Sequence, residues 1–190
     1  MMAKLSKPLL HSCCAPCSSA VLERLDGQFA ITIYYYNPNI DTPLEFMRRR
    51  EELDKLHRLG IDFNVVAEEY QPVEYDAAVK GLEGLGEGSQ RCYQCYELRL
   101  RRAAEYASAH GYDCFTTTLS VSPHKKAAWI HEIGQKLATE YQVDYLDEDF
   151  KKHDGYKRSL ELSKELSLYR QNYCGCKYSK LEAEARNATK

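Results

Sequence analysis

No apolar run in this sequence approaches the roughly 18 residues that a membrane-spanning helix needs, so no spanning segment of that kind is expected. The opening Met1-Met2-Ala3-Lys4-Leu5-Ser6-Lys7-Pro8 holds no apolar core long enough for a secretory signal, and a cytoplasmic protein without a membrane partner is expected. An excess of one charge is missing too. Net charge is −2, so the field of the whole protein does not announce a nucleic-acid binder. Arg48-Arg49-Arg50, Arg99 with Arg101 and Arg102, Lys125-Lys126 and the group Lys151, Lys152, Lys157, Arg158 are local basic stretches, each read first as a solvated helix face. Internal repeats are absent, and 44% apolar with 28% charged residues excludes a disordered or collagen-like chain. The one glycine-rich stretch, Gly81 to Gly88, neither follows a strand nor directly opens a helix, so it is no dinucleotide fingerprint. It reads as a mobile loop, placed to close over the cysteines that follow it.

What the chain has is cysteine, and seven of its eight cysteines fall in three tight groups: Cys13-Cys14 with Cys17, Cys92 with Cys95, and Cys174 with Cys176. Only Cys114 stands alone, inside an expected strand, and reads as an inert core residue. In a reducing cytosol such spacings point to metal and redox chemistry rather than to a disulfide framework.

Strand and helix patterns alternate along the chain. Pro8 to Ser12 reads as a strand, Ser18 or Ser19 as the cap of a helix ending at Gly27, and Phe29 to Tyr36 as a strand buried on both faces. Thr42-Pro43-Leu44-Glu45 is a capping box opening a helix that carries Leu44, Met47, Leu53, Leu56 and Leu59. Ile61 to Ala67 is a strand, Val73 to Lys80 a helix, about Cys95 to His110 a helix, and Asp113 to Leu119 a strand. Ser122-Pro123 is expected to cap a helix, Val143 to Leu146 to form a short fifth strand, and the rest to be helical, with Leu160, Leu162, Leu166 and Leu168 spaced for burial and a surface helix from Leu181 to Lys190. At 190 residues the chain has material for one full core, and a single domain over 1–190 is expected. The fold class is α/β: a doubly wound, mostly parallel five-stranded sheet, similar to the HUP, adenine-nucleotide-hydrolase-like type, with a helical C-terminal part from about 150 to 190. In such a sheet the site lies at the strand C-terminal ends, which would gather Cys13-Cys14, Asn37 to Asn39, Glu68-Glu69 and Ser120 to His124 on one rim.

The first strand-to-helix turn of a nucleotide-binding protein wraps a phosphate with backbone amides. Here Pro16 has no N–H and cysteine side chains crowd the approach, which argues against an ATP-dependent tRNA-modifying enzyme of related fold. The same turn suits thiolates, because a helix N-terminus stabilises anionic sulfur. Four thiolates hold a [4Fe–4S] cluster or a structural zinc, and either Cys13 and Cys14 or Cys14 and Cys17 could join Cys92 and Cys95; C-x-x-C spacing favours the second choice. A zinc-bearing RNA-binding module is the alternative, but a closed four-ligand site leaves a fifth cysteine and the separate Cys174-Gly175-Cys176 without a purpose. A disulfide across one residue closes a small, strained and easily reduced ring, fit to pass two electrons. Two further metal ligands are the other reading of that pair.

These residues together resemble the epoxyqueuosine reductase QueH family: His11-Ser12-Cys13-Cys14-Ala15-Pro16-Cys17-Ser18, Tyr36-Asn37-Pro38-Asn39-Ile40, Cys92-Tyr93-Gln94-Cys95, Phe115 to Leu119, Ser122-Pro123-His124-Lys125 and Tyr169 to Cys176, in that order. The resemblance implies cobalamin-independent reduction of epoxyqueuosine to queuosine at the wobble position of tRNA, with an external electron donor. It implies a [4Fe–4S] cluster on Cys13, Cys14, Cys92 and Cys95, a redox-active Cys174–Cys176 disulfide and an adjacent mononuclear iron, for which Cys17 is a candidate ligand. A general acid must protonate the leaving oxygen, and Asp113, His124 and Asp154 are the candidates, whereas His11 reads as a satisfied core histidine. Lys125, Lys126, Lys157, Arg158 and Arg170 are the expected phosphate contacts. Fifteen tyrosines are available for stacking on unpaired bases; Tyr34 to Tyr36 lie in or at the end of a strand, Tyr156 and Tyr173 sit near basic residues or cysteines, and most are expected as core or rim packing.

Overall fold

The structure is a computed structural model that describes residues 6–188. The expected absence of a secretory segment rests partly on residues 1–5, which lie outside the described residues, as do residues 189–190 of the surface helix expected over Leu181 to Lys190. The chain runs through β1 (Pro8–His11), α1 (Ala15–Leu25), β2 (Ile31–Tyr35), α2 (Pro43–Glu51), a 3-10 helix over Glu52–Leu59, and β3 (Phe63–Ala67). It continues with α3 (Pro72–Ala78), α4 (Gln90–Ala109), β4 (Cys114–Thr117), a 3-10 turn over Thr118–Val121, α5 (Ala127–Tyr141), β5 (Asp144–Tyr145), α6 (Gly155–Glu165) and α7 (Lys177–Ala188). The strands form one sheet in the order β3-β2-β1-β4-β5, every pair parallel.

Period-two alternation sends neighbouring residues of each buried strand to opposite faces, and each face meets its own helices. Leu10, Ile31 and Ile33 pack on one side against Val21, Leu22 and Leu25 of α1 and against Leu53 and Leu56. Leu9, Tyr34 and Phe115 pack on the other against Leu100, Ala103 and Ala107 of α4 and Ile130, Ile133 and Leu137 of α5. The chain leaves β1 toward β2 on one side and returns to β4 on the other, so a crevice opens beyond the C-terminal ends of β1 and β4.

Several expected boundaries move, and the moves matter for the site. Helix α1 opens at Ala15, with Cys14 as its N-cap, because Pro16 fits the first turn where no N–H is required. Ser18 and Ser19 are inside it, their hydroxyls donating back to the carbonyls of Cys14 and Pro16 at 2.9 Å each. Helix α4 opens five residues earlier than about Cys95 and takes in both Cys92 and Cys95. Ser122-Pro123 does not cap α5; it makes a turn closed by the Lys125 N–H on the Ser122 carbonyl (3.2 Å), which leaves His124 and Lys125 on the loop before the helix. Helix α7 opens at Lys177, directly after Cys176. Thr42 caps α2 as expected, its hydroxyl accepting from the Glu45 N–H at 3.2 Å. Yet Leu44 and Met47 are 78% and 56% exposed, and α2 buries Phe46 and Arg49 instead. Leu162 and Leu168 are buried, and Leu160 and Leu166 are half-buried.

Helix α6 lies on α1 and carries the C-terminal part over the crevice. A Cβ on Gly155 would stand 1.9 Å from the Phe150 carbonyl oxygen. Gly155→Ala is therefore expected to cost about 1–3 kcal/mol of stability by urea denaturation; an unchanged midpoint would mean that the turn before α6 relaxes freely.

Candidate functional site

Each cysteine group sits at the start of a helix. Cys14 is the N-cap of α1 and Cys17 lies in its first turn. Cys92 lies in the first turn of α4, its sulfur accepting from the Gly88 N–H at 3.3 Å. Cys176 immediately precedes α7, its sulfur accepting from the Ser179 N–H at 3.4 Å. Three helix N-termini thus present positive potential to sulfur.

The sulfurs of Cys13, Cys14 and Cys17 lie within 4.8 Å of one another, those of Cys13 and Cys14 3.7 Å apart. They open on a cleft of about 550 Å³, within the range of a small-molecule site. His124 and Lys125 from the loop before α5, Tyr156 from α6, and Arg170 to Cys174 form its other walls. A tight inner pocket is lined by Cys92, Cys95, Cys174 and Cys176, with Asn39, Tyr75 and Arg91. Cys174 belongs to both walls. Of the five cysteines expected as ligands, Cys13, Cys14 and Cys17 form one sulfur group, and Cys92 and Cys95 line the adjoining pocket.

Positive charge is buried around these sulfurs. Arg99, 1% exposed, gives Nη2 to Asn37 Oδ1 at 2.6 Å and reaches Cys95 Sγ at 4.0 Å; Cys13 and Cys174 also act on it electrostatically. None of its described partners is a carboxylate, and its Nε has no hydrogen-bond partner. A buried guanidinium without an anion is costly, so the sulfurs are its natural counter-charge. Arg49, 2% exposed, is held by Glu45 (2.7 Å) and donates to the Cys174 carbonyl (3.1 Å). Arg91 binds Glu182 (3.1 Å) and the carbonyls of Glu83 and Leu85. Those two carbonyls belong to the glycine-rich stretch expected as a mobile loop. Two of these arginines come from stretches expected to be solvated faces; only neighbours such as Arg101, paired with Glu97 and Glu140, are outside. The available signal was spacing: Arg99 lies one helical turn after Cys95 and Arg49 one turn after Glu45.

Hydrogen bonds from the Cys14 and Cys17 thiols hold the Cys13 thiol well below its ordinary range against the cost of burial, aided by Lys125 and Arg99; Cys17 is raised in the exchange. Burial pushes the Cys95 thiol up to about 12, with Arg99 opposing. Burial disfavours the Lys125 ammonium, but Cys174, Cys13 and Cys17 more than offset it. Negative charge is thus favoured on Cys13 over Cys14 and Cys17.

His11 is fully buried, its ring nitrogens engaged with Thr117 Oγ1 (2.8 Å) and the Tyr36 carbonyl (3.2 Å); burial, then Arg99, pushes it down to about 3, which fits a structural role. Cys114 is buried at the far end of β4, raised to about 11 by burial and by Asp113 and Asp144. Among the general-acid candidates only His124 lines the cleft. Asp113 accepts from the Lys7 N–H (2.7 Å) beyond the opposite end of the sheet, and Asp154 is exposed just before α6. The expected rim is partly corrected: Asn37 and Asn39 join the site, whereas Glu68 is taken by the Tyr34 hydroxyl (2.8 Å) and Glu69 is exposed away from the cleft. Of the expected phosphate contacts, Lys125 faces the thiols, Lys126 lies over the Trp129 ring at 3.9 Å, and Arg158 is caged by Glu23, Glu161 and Glu165. Lys157 is exposed, and Arg170 stands on the cleft wall. Tyr34, Tyr35 and Tyr36 are buried in the core; Tyr156 and Tyr173 line the cleft. Gln171, not singled out by the sequence, buries an unpartnered Oε1 on the cleft wall.

The family described as epoxyqueuosine reductase QueH matches this chain over residues 8–182. The chain is 40% identical over 183 residues to epoxyqueuosine reductase QueH of Staphylococcus epidermidis, covering 93% of this chain and 77% of that protein. It is 39% identical over 184 residues to the protein of the same name from Thermotoga maritima, covering 95% and 93%. The chain belongs to the epoxyqueuosine reductase QueH family. That membership places the three cysteine groups in a reductase family, in keeping with a cleft walled by thiols and buried cations. Among the described residues no helix is long and apolar enough to cross a membrane.

The segment bearing the last cysteine pair is tied down by Asp41. Its carboxylate accepts from the Tyr173 hydroxyl and from Lys180 Nζ, both at 2.7 Å, and its N–H donates to the Gly175 carbonyl at 2.9 Å. Burial opposes the charge, but Lys180 and Tyr173 win and hold Asp41 below the usual carboxylate range. A depressed carboxylate stabilises the fold above its unfolded value and loses that contribution as pH falls through the native one. Asp41→Asn should cost about 1–3 kcal/mol at neutral pH. In denaturation curves the gap to wild type should narrow once pH falls below 3.8.

Proposed function

We propose that this chain, acting as a single α/β domain in the cytoplasm, reduces the epoxide of epoxyqueuosine at the tRNA wobble position to the alkene of queuosine, without cobalamin. The observation that carries the proposal is the gathering of three cysteine groups, each at the start of a helix, around a cleft and its adjoining inner pocket, with Cys174 lining both. The reaction consumes two electrons and two protons and releases the epoxide oxygen as water. Family membership supports it, and so does the donor set: clustered soft sulfurs, beside a buried cation that lacks a carboxylate, fit a metal centre. Cys13, Cys14, Cys92 and Cys95 would hold a [4Fe–4S] cluster, and Cys17 is the candidate ligand of an adjacent iron. When bound, the cluster supplies single electrons and the iron a Lewis acid for an oxygen.

The chain's own groups do the rest. His124, on the cleft wall, would protonate the departing oxygen. Lys125 keeps a positive charge beside the sulfurs and so favours anionic species in the cleft. The Cys174–Cys176 dithiol gives up two electrons and two protons as it closes to a disulfide, which an external donor then reopens. Arg170 would meet a phosphate and Tyr156 or Tyr173 an unstacked base of the anticodon loop. An ATP-dependent activity is disfavoured by the same turn: Pro16 removes an amide from the first turn of α1, and thiols fill the position of a phosphate.

Anaerobically purified protein is expected to be brown, with iron and sulfide in near equal amounts, and to convert epoxyqueuosine-containing tRNA in multiple turnovers. Serine at Cys13 or Cys92 should remove most of the iron. Cys174→Ser should keep the iron but lose multiple turnover. A colourless zinc protein would sink the cluster, and brown protein inert toward that tRNA would sink the substrate.

A further inference from the structure

The two sulfurs of the Cys174-Gly175-Cys176 pair differ in ways that decide how a disulfide between them can be reopened. Cys174 is half-buried and lines both the open cleft and the inner pocket. Cys176 is 7% exposed, lines only the inner pocket, and packs with Tyr75, Val79 and Cys95. Its sulfur accepts from the Ser179 N–H at 3.4 Å and lies 3.5 Å from the Ser179 hydroxyl, within the first turn of α7. At Cys174 the bond is made by the carbonyl, which accepts from Arg49.

We propose that the disulfide is reset by an external thiol that enters through the cleft, attacks Cys174 and expels Cys176 as the leaving thiolate. The proposal rests on the redox role of the pair given above. The donor thiolate bonds to Cys174 Sγ while the Cys174–Cys176 bond breaks, and that electron pair departs on Cys176. A second donor thiolate then attacks the donor's sulfur in the mixed disulfide, frees Cys174 as thiolate and leaves as the oxidised donor disulfide. Two electrons enter the protein, and two protons from solvent restore the thiols. Exchange is faster when the leaving thiolate is stabilised and the attacked sulfur is accessible, and the two demands select opposite members of this pair. The α7 N-terminus and the Ser179 N–H stabilise charge on Cys176. The cleft wall carries Lys125 and Arg170, which favour approach of an anionic nucleophile to Cys174. Attack with the opposite sense would have to reach the more buried sulfur, which packs against Tyr75 and Val79.

The protein is oxidised with diamide, exposed briefly to reduced glutathione, quenched with acid, and the peptide containing both cysteines is sequenced by mass spectrometry. Glutathione is expected on Cys174 in about tenfold or greater excess over Cys176. Adducts chiefly on Cys176, or an even split, overturn the proposal while leaving the redox pair intact. Oxidation that forms no Cys174–Cys176 disulfide overturns the redox reading and this inference with it. In the reduced protein, limiting iodoacetamide should modify Cys174 about tenfold faster than Cys176, and equal rates would count against the assigned access.

Discussion

Anionic sulfur in a protein interior requires positive potential that is already in place. Here it comes from three helix N-termini and from cations sealed beneath the surface. Arg99 shows the constraint most clearly: it is buried against Asn37 and sulfur, without a carboxylate, so its charge is tolerable only where sulfur carries the opposite one. The parallel sheet supplies the means. Its switch point brings the first turn of α1 beside the end of β4, where Thr118 donates to the Cys13 sulfur (3.4 Å) and accepts from its N–H (3.2 Å).

The same architecture explains how one fold type can serve either phosphate or sulfur. A nucleotide-binding turn leaves amides bare for oxygen. In this chain Cys14 takes the N-cap position, Pro16 removes an amide, and Cys17 fills the first turn, so the helix dipole falls on thiols. The C-terminal part completes the enclosure: α6 lies on α1, Asp41 anchors Tyr173 and Gly175, and Cys174 is brought into the wall that separates the cleft from the inner pocket. Gly175 adopts φ +135°, and a Cβ there would come within 3.0 Å of Arg49 Nη1, so the turn between the two cysteines accepts no side chain without displacement.

The alternation of strands and helices was legible because a buried parallel strand leaves a short apolar or β-branched run between turn residues, as Phe29 to Tyr36 does. Helix starts were less legible. Proline at a first turn and serine just after it look alike whether the cap is Cys14 or Ser18, and the difference is one of backbone conformation. Burial of Arg49 in place of Leu44 and Met47 was not legible at all, since a 3.6-residue stripe says which residues share a face but not which face a later segment will cover. The covering segment is Tyr169 to Cys176, more than a hundred residues away.

The sequence alone determined the sheet class, the three cysteine groups and the family likeness, because each is written in local spacing and in the order of motifs. Tertiary structure alone decided which sulfurs share a cavity, which arginines are buried, that His124 rather than Asp113 or Asp154 faces the cleft, and that Cys174 and Cys176 are inequivalent. Those properties depend on distances between residues far apart in the chain and on exclusion of water from the space between them, and both arise only when the helices close over the sheet.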